Sequence, residues 1–459
     1  MTTSEQMSTA STDGPKQRSA APLYRKLRPR PNGPSRAEVS ANQRARLHGA
    51  MVEAISLRGY TKTSVAQLCR LAGISKRTFY EQFENKEACF IASYERVLAR
   101  VAARVTEQSM REKGWTCQLA SGLEALIREI ANQPKAGRLV LLEADAVGST
   151  VRLRHAGLRA EFERIVAAGF ARELPERSFP VLLARGIVCG LERAICHALR
   201  EGEGLEEPAK LAAELARWAS SHGGALRSLS HVKAIAVEGT TRPPARDVRR
   251  AGHRARILRA AAELAIIDGP ERPSMARISH RAGVDTDTLS RYYGSPEACL
   301  REAMDLLSLE ALTCVSDASR GAGDGLSGAC LGIMALARRL ARDQLMRGVL
   351  FPAPALAALP AVERGEQVLG GVLDILLARV PEVGERSTVA RTATVGALSS
   401  VIIHHVACDE AHTLAGSGAY AAYLALAPFV DGQALSSALD GLVTNTLGER
   451  PSEPLTGSD

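Results

Sequence analysis

The chain contains 459 residues, more than one hydrophobic core usually serves, so its length predicts two or more domains. Hydrophobic residues make up 46 % of it and aromatic residues only 4 %, a composition that favours cores built from helices over wide sheets. The formal net charge of +8 suits a polyanionic partner but does not identify one, so where the charge lies along the chain matters more than its sum.

The nine cysteines are scattered and form no C-x-x-C pair, which excludes a zinc ribbon and a disulfide framework. Residues 1–39 are rich in Ser, Thr, Pro and Arg without apolar periodicity, which predicts a disordered basic tail. This segment lacks the apolar stretch of a secretory signal, and no later stretch reaches the ~20 apolar residues that cross a bilayer. We therefore expect a soluble cytoplasmic protein.

An internal repeat organises the rest of the chain. Gly73 aligns with Gly283 at an offset of 210 positions, and this register holds without a gap over residues 41–90. The triplets at 87–89 and 297–299, for example, are both Glu-Ala-Cys. Shared composition alone would not keep such a register, so the repeat predicts a duplicated domain.

The first copy carries two short helical patterns joined by a glycine. Apolar residues recur at helical spacing after Ser64, which fits a capping box with Gln67. Gly73 allows the left-handed turn that ends this helix, and Ser75 can cap the next one. The pattern predicts a helix-turn-helix over residues 64–83, whose second helix exposes a basic face.

These residues resemble the DNA-binding domain of the TetR/AcrR family of bacterial transcription regulators. The motifs that carry the resemblance follow in the family's order: Gly59-Tyr60, Thr63-Ser64-Val65, Ala72-Gly73-Ile74-Ser75, Thr78-Phe79-Tyr80 with Phe83, and Lys86-Glu87. The resemblance implies an all-α protein, in which a three-helix helix-turn-helix domain is joined to a helical regulatory domain. In the family, the regulatory domain usually binds a small molecule and dimerises.

The resemblance also implies a set of DNA contacts in the first copy. Lys76, Arg77 and Thr78 would enter the major groove. Tyr80 and Lys86 would contact phosphates, and Ser64 would lie near the DNA backbone. The alternative is that these are ordinary solvated surface residues. Basic residues of the tail either lie in a minor groove or only attract DNA loosely: Arg25, Lys26, Arg28 and Arg30.

The second copy, with its helix-turn-helix at residues 274–293, keeps the turn glycine but loses most of the contact side chains. Lys76, Arg77, Tyr80 and Lys86 are replaced there by Thr286, Asp287, Ser290 and Pro296. The charge of the recognition helix changes from +1 to −1, so we expect this copy to bind DNA poorly, because phosphate attraction supplies most non-specific affinity.

Base contacts by the second copy stay open as a possibility. Thr286, Asp287 and Arg291 are the candidates, since an aspartate can accept a hydrogen bond from cytosine N4. A flanking arginine cluster could support them, or it could be a solvated linker and helix face: Arg242, Arg246, Arg249, Arg250, Arg254 and Arg256.

The patterns divide the chain into two similar halves. The predicted segments are a tail at 1–39, a helix-turn-helix domain at 40–100, a regulatory domain at 101–235, a linker at 236–250, a degenerate helix-turn-helix domain at 251–305, a second regulatory domain at 306–448 and a tail at 449–459. By the resemblance, residues 179–200 with 211–221 and residues 387–407 with 419–430 would form a four-helix bundle. An intramolecular pseudo-dimer is therefore expected, with a homodimer of two chains as the alternative.

Two further groups of residues are weaker candidates for binding. Residues 138–148, with Glu143 and Asp145, fall where the family often lines its ligand cavity, although charged residues on helices are usually just solvated. His404, Cys408 and His412 recur at every fourth position, as metal ligands on one helical face would. Packing histidines are commoner, so we expect no metal and no cofactor.

The predicted function is that of a sequence-specific DNA-binding transcriptional regulator, a ligand-responsive repressor that reads its operator mainly through the first helix-turn-helix. Its expected partners are a double-stranded DNA operator and a small-molecule effector, and no membrane. The alternative is a dimerising, ligand-sensing helical protein with weak or no specific DNA binding. Catalysis is not expected, because the sequence has no Gly-rich phosphate loop, nucleophile elbow or H-E-x-x-H motif.

Overall fold

The computed structural model describes residues 34–173, 180–223, 252–269, 273–352, 359–380, 387–408 and 410–448. Regular structure within these ranges is helical, without a strand, so the all-α prediction is confirmed. No helix in these ranges is long and apolar enough to cross a membrane. Four predicted segments lie outside the described residues. They are the candidate arm (Arg25, Lys26, Arg28 and Arg30), most of the flanking arginine cluster (Arg242, Arg246, Arg249 and Arg250), the linker at 236–250 and the C-terminal tail.

The first half of the chain contains ten helices within the described ranges. They are α1 (Arg36–Arg58), α2 (Val65–Ala72), α3 (Lys76–Gln82), α4 (Lys86–Ser109), α5 (Trp115–Asn132), α6 (Pro134–Leu141), α7 (Ala144–Val147), α8 (Ser149–Glu173), α9 (Val181–Glu201) and α10 (Pro208–Ser221). The first helix begins inside the segment predicted as tail. Its start is fixed by a capping box, in which Glu38 N donates to Ser35 Oγ (3.2 Å) and Ser35 N donates to Glu38 Oε2 (2.8 Å).

The second half begins with the same order of helices. They are α11 (His253–Asp268), α12 (Met275–Ala282), α13 (Thr286–Tyr292), α14 (Pro296–Arg320), α15 (Gly325–Arg342), α16 (Gln344–Leu350), α17 (Leu359–Leu377), α18 (Thr388–Ala407), α19 (Gly418–Leu426) and α20 (Gly432–Gly448). A short 3-10 helix, Ala411–Ala415, lies between α18 and α19.

The chain forms two compact units, and the first contains residues up to 103 together with residues 129–152. Its core is built around fully buried Phe79 and Phe90 of the helix-turn-helix region, with Leu139 of α6 in the same cluster. The short helices α6 and α7 therefore pack with the DNA-binding segment, although the sequence placed them in a separate regulatory domain beginning at residue 101. Lys135 Nζ, 2.7 Å from Glu53 Oε2, adds an ion pair between α6 and α1.

The second unit contains residues 104–128 and the chain from residue 153 onward, and it includes the helices predicted for the four-helix bundle. Within it α9 packs against α18. A Cβ added to Gly190 of α9 would lie 2.6 Å from the backbone oxygen of Ala393, closer than real Cβ atoms come. Gly396 of α18 is similarly pressed against Arg193 of α9. Glycines on both helices thus permit this close approach.

Polar side chains cross the same seam between the first-half helices α9–α10 and the second-half helices. Trp218 Nε1 donates to Thr394 Oγ1 at 2.9 Å, and both side chains are buried. Ser387 Oγ donates to Glu214 Oε2 at 2.6 Å. Arg193 forms an ion pair with Glu366 of α17. The helix pairs predicted for the bundle therefore associate within one chain.

His404, Cys408 and His412, the candidate metal ligands, do not lie on one helical face. Helix α18 ends at Ala407, and Cys408 is its C-cap, so His412 lies on the separate 3-10 helix. His405 takes a packing role instead: its Nδ1 donates to the Val401 carbonyl oxygen (2.7 Å) and its Nε2 accepts from Ser417 Oγ (2.9 Å). The helical spacing of the three residues is therefore interrupted where α18 ends.

The close packing at Gly190 predicts that alanine destabilises the fold at this glycine but not at an uncrowded one. Gly190→Ala should lower the free energy of unfolding by about 1–3 kcal/mol, because its methyl group would overlap the α18 backbone. Gly157→Ala is the matched control: this helical glycine has no atom near its Cβ position, and removing it should stabilise by about 0.5–1 kcal/mol. Urea unfolding of the two variants measures the difference, and equal effects would contradict the packing described.

Buried His222 predicts a loss of stability in acid. Burial lowers the pKa of this imidazole from 6.5 to about 4, so the unfolded chain binds a proton there that the folded chain does not. Stability should fall as the pH drops from 6.5 towards 4, by about 2–3 kcal/mol from this group. His222→Gln should lose that part of the dependence in urea unfolding at pH 7 and 4.5. An unchanged difference between the two pH values would refute the assignment.

Candidate nucleic-acid interface

The turn of the first helix-turn-helix has the predicted geometry. Gly73 adopts the left-handed conformation (φ 62°, ψ 45°) that ends α2 and directs the chain into α3. Ser64 caps α2 by accepting from Gln67 N (3.3 Å), and Ser75 caps α3 by accepting from Thr78 N (3.0 Å). The two helices are therefore defined by local hydrogen bonds at their starts and by the glycine between them.

Apolar anchors determine which face of the recognition helix α3 meets solvent. Phe79 is fully buried and Phe83 is nearly so, while Ile74 packs against the same core. The opposite face is exposed: Arg77 has 91 % of its side chain accessible and Tyr80 has a 57 % exposed fraction. The burial of the two phenylalanines thus leaves Lys76, Arg77 and Tyr80 free to meet a ligand.

The two hydroxyl residues among the predicted contacts also serve the local structure. Ser64 is exposed, but its hydroxyl accepts the capping bond of α2. Thr78 is half-buried, and its Oγ1 lies 2.9 Å from Ser75 Oγ at the start of α3. Their DNA contacts stay predictions, and both side chains lie at helix starts beside the turn.

Lys86 occupies a different place from the free surface cation that the sequence suggested. Its Nζ donates to the carbonyl oxygens of Tyr60 (3.0 Å) and Thr63 (2.9 Å) and lies 3.9 Å from the centre of the Tyr60 ring. Burial lowers the pKa of its ammonium. Lys86 therefore holds the connection between α1 and α2, and its phosphate contact stays a prediction.

Two arginines that received no role from the sequence support the recognition helix from α1. Arg46 Nη2 donates to the backbone oxygens of Gly73 (2.7 Å) and Ala72, which fixes the turn. Arg44 Nη2 donates to the Gln82 oxygen at the end of α3 (3.0 Å), and its guanidinium lies over the Phe83 ring at 5.1 Å. Both arginines recur in the second copy at the repeat offset, and that recurrence was the available signal.

Glu143 lies against the DNA-binding segment. Its Oε2 accepts from Tyr60 N at 2.9 Å, while Lys86 binds the carbonyl oxygen of the same residue. The connection between α1 and α2 is thus held from both sides by opposite charges. The sequence could not show this contact, because 83 positions separate Tyr60 from Glu143.

The second helix-turn-helix has the same backbone with different side chains. Gly283 (φ 62°, ψ 42°) makes the turn, and Asp285 caps α13 by accepting from Thr288 N at 2.6 Å. Leu289 is fully buried where the first copy has Phe79. The candidate contacts of this copy lie on the exposed face: Thr286, Asp287 and Arg291.

Arginines around the second helix-turn-helix are engaged by carboxylates of the same domain. Arg277 pairs with Asp268 (2.8 Å), and Arg281 pairs with Glu263 (2.7 Å). Arg254, a member of the predicted flanking cluster, donates through Nε to Glu302 (2.7 Å). Arg256 lies beside the turn, with Nη1 3.7 Å from the Cβ position of Gly283, as Arg46 does in the first copy. These pairs reduce the positive potential offered to DNA.

Comparison with known proteins now identifies both segments. The family model of bacterial regulatory proteins, tetR family, matches residues 49–93 and again residues 257–303. The chain therefore carries the tetR-type DNA-binding domain twice, once in each half. The two TetR-type domains are the helix-turn-helix segments described above, as the repeat predicted. Comparison with curated protein sequences finds no significant match.

Solved structures align with about two fifths of this chain. A TetR-like regulator from Rhodococcus sp. RHA1 is 21 % identical, with 38 % of this chain and 94 % of that chain covered and a TM-score of 0.34. The fatty acid degradation regulator FadR from Bacillus halodurans is 18 % identical over 40 % and 96 %, with a TM-score of 0.35. FadR from Bacillus subtilis, solved with stearoyl-CoA, is 17 % identical over 38 % and 96 %, also with 0.35.

The position of Lys86 predicts a structural cost when it is replaced. Lys86→Met should lower the free energy of unfolding by about 1–3 kcal/mol, because it leaves two carbonyl oxygens without their charged donor. Lys76→Met, on the exposed face, should change it by less than about 0.5 kcal/mol. Thermal unfolding followed by circular dichroism compares the two, and indistinguishable melting curves would show that the Lys86 contacts do not stabilise the fold.

Proposed function

We propose that this chain is a sequence-specific transcriptional repressor that binds an operator mainly through its first TetR-type domain. One observation carries the proposal: two nearly identical scaffolds differ in the charge of the exposed face. In the first, Lys76 and Arg77 are exposed on the recognition helix, and in the second the same positions hold Thr286 and Asp287. Lysine and arginine there supply the phosphate attraction and the guanine donors that DNA binding needs.

The proposed DNA contacts are those assigned from the sequence, with two refinements. Arg77 and Lys76 are the base-reading candidates, with Tyr80 on a phosphate and Ser64 and Thr78 near the backbone. Lys86 contributes mainly by fixing the turn on which Ser64 lies, and through its remaining N–H it can also reach a phosphate. The regulator is proposed to act without catalysis, since both matched domains belong to bacterial regulatory proteins.

The functional particle is proposed to be a single chain in which the two halves act as a pseudo-dimer. Each polar group at the seam meets an unlike residue from the other half, as Trp218 meets Thr394 and Glu214 meets Ser387. A two-fold contact between two first halves would not bring these pairs together. The seam therefore favours pairing within the chain over pairing of two first halves.

A small-molecule effector is proposed from the resemblance to the tetR family, and one segment could connect its binding to the DNA-binding domain. Glu143 and Lys135, on the α6–α7 segment, bind Tyr60 N and Glu53 of the first TetR-type domain. A ligand that displaces this segment would release the connection between α1 and α2.

Binding to genomic DNA tests the proposed function. Fragments of the source genome, including the region upstream of its own gene, are selected on the full chain and footprinted. Arg77→Ala should weaken binding of the selected site by about 5- to 100-fold, because a base contact of this kind is worth about 1–3 kcal/mol. Arg111→Ala is the control, since it removes the arginine of another exposed i,i+4 pair, with Glu107 at 2.7 Å.

The outcomes separate the two candidate functions. A sequence-specific footprint that weakens with Arg77→Ala but not with Arg111→Ala supports the repressor, and reporter expression in its presence gives the sign of regulation. Failure of the wild-type chain to select any fragment would favour a ligand-sensing helical protein without a specific DNA role.

A further inference from the structure

The two recognition helices carry exchanged charges at the same two exposed positions. In α3 the pair is Arg77 followed by Glu81, and at the repeat offset in α13 it is Asp287 followed by Arg291. All four side chains lie on the outer face of their helices. The second helix therefore retains one acid and one base one turn apart, with their order reversed.

The backbone places these positions in the same way in both copies. The N-caps Ser75 (φ −77°, ψ 159°) and Asp285 (φ −73°, ψ 158°) have nearly equal dihedral angles. The C-caps Phe83 (φ −143°, ψ 136°) and Tyr293 (φ −140°, ψ 131°) agree as closely. The backbone of α13 therefore holds the side chain of residue 287 as the backbone of α3 holds that of residue 77. A DNA groove that admits one of these helices also admits the backbone of the other.

In the first copy the acid orients the base. Arg77 Nε lies 3.1 Å from Glu81 Oε1, and the two side chains are 91 % and 53 % exposed. This contact occupies Nε and leaves the terminal nitrogens to donate, as bidentate recognition of guanine O6 and N7 requires. Glu81 is therefore a positioning residue for the donor at position 77.

In the second copy the chemistry at these positions is reversed. An ionised aspartate only accepts hydrogen bonds, so Asp287 requires an amino group on the base edge, as cytosine N4 and adenine N6 provide. Arg291 places a donor one turn later, suited to guanine. Among the residues that the structure describes, neither Asp287 nor Arg291 forms a salt bridge, whereas Arg277 and Arg281 in the same domain do. Arg291 interacts with the acid Asp285 only at longer range.

We propose that the second recognition helix reads a half-site whose sequence differs from the one read by the first. Asp287 accepts from a cytosine or adenine amino group, and Arg291 donates to a guanine. The proposal rests on the proposed function, in which most affinity comes from the first copy. The second copy adds discrimination: a base without an amino group leaves Asp287 unpaired against an acceptor, and the operator is not a palindrome at these positions.

Selection from randomised DNA by the full chain tests this reading. The variant Asp287→Arg with Arg291→Glu gives the second helix the charge order of the first and leaves the net charge unchanged. The control Asp317→Arg with Arg320→Asp exchanges another exposed ion pair, on α14, again without changing the net charge. Differences in base preference therefore cannot arise from a change in total charge.

The wild-type chain is expected to select two unlike half-sites. The 287/291 exchange should change the preferred base in one half-site by roughly 5- to 100-fold and leave the other unchanged, and the 317/320 exchange should change neither. Asp287→Asn is a milder variant that keeps the side-chain size, and it should move the preference from cytosine towards adenine, which an amide binds in bidentate fashion. Melting curves verify that each variant is folded.

The failures are distinguishable. If the wild-type chain selects no sequence at all, the proposed function fails and this inference fails with it. If it selects a site that loses affinity with Arg77→Ala, while folded 287/291 exchange and Asp287→Asn variants keep every wild-type preference, only this inference is overturned. Two identical half-sites in the wild-type selection would overturn it as well.

Discussion

The burial of one apolar residue in each recognition helix is the constraint on which the interface depends. Phe79 and Leu289 are fully buried at equivalent positions of two helices that have seven residues each, and Phe83 packs in the same core as Phe79. With the anchor buried, Arg77 and Tyr80 on the first helix and Asp287 and Ser290 on the second face solvent. The same scaffold then presents either a basic face or an acidic one, and the difference in charge between the copies lies in the exposed side chains.

The connection between α1 and α2 shows how the first TetR-type domain is held in shape. Tyr60 has its N–H bound by Glu143 and its carbonyl oxygen bound by Lys86. Charged groups on backbone atoms make stronger hydrogen bonds than neutral groups do, so this short segment is well fixed. Glu143 is 83 positions from Tyr60 in the sequence, so a distant part of the chain helps to hold the DNA-binding helices in place.

The contact between α9 and α18 joins helices from the two halves of the chain within the second unit. Gly190 and Gly396 remove the side chains that would hold the two helices apart, and unlike polar groups such as Trp218 and Thr394 then meet across the contact. Close backbone approach maximises dispersion contacts, while unlike polar partners discourage pairing of two identical halves. Tandem duplication followed by divergence explains both features, since two copies in one chain need not keep self-complementary surfaces.

The sequence by itself determined the duplication, the helical class, the helix-turn-helix and its exposed residues. Local signals are enough for these, because Gly73, Ser64 and Ser75 act within a few positions of themselves. It could not determine the roles of Lys86, Arg46 or Glu143, nor the packing of residues 129–152 with the DNA-binding segment. Those depend on contacts between residues 23 to 83 positions apart, which periodicity does not encode. Only the tertiary structure brings such side chains to the backbone groups that they satisfy.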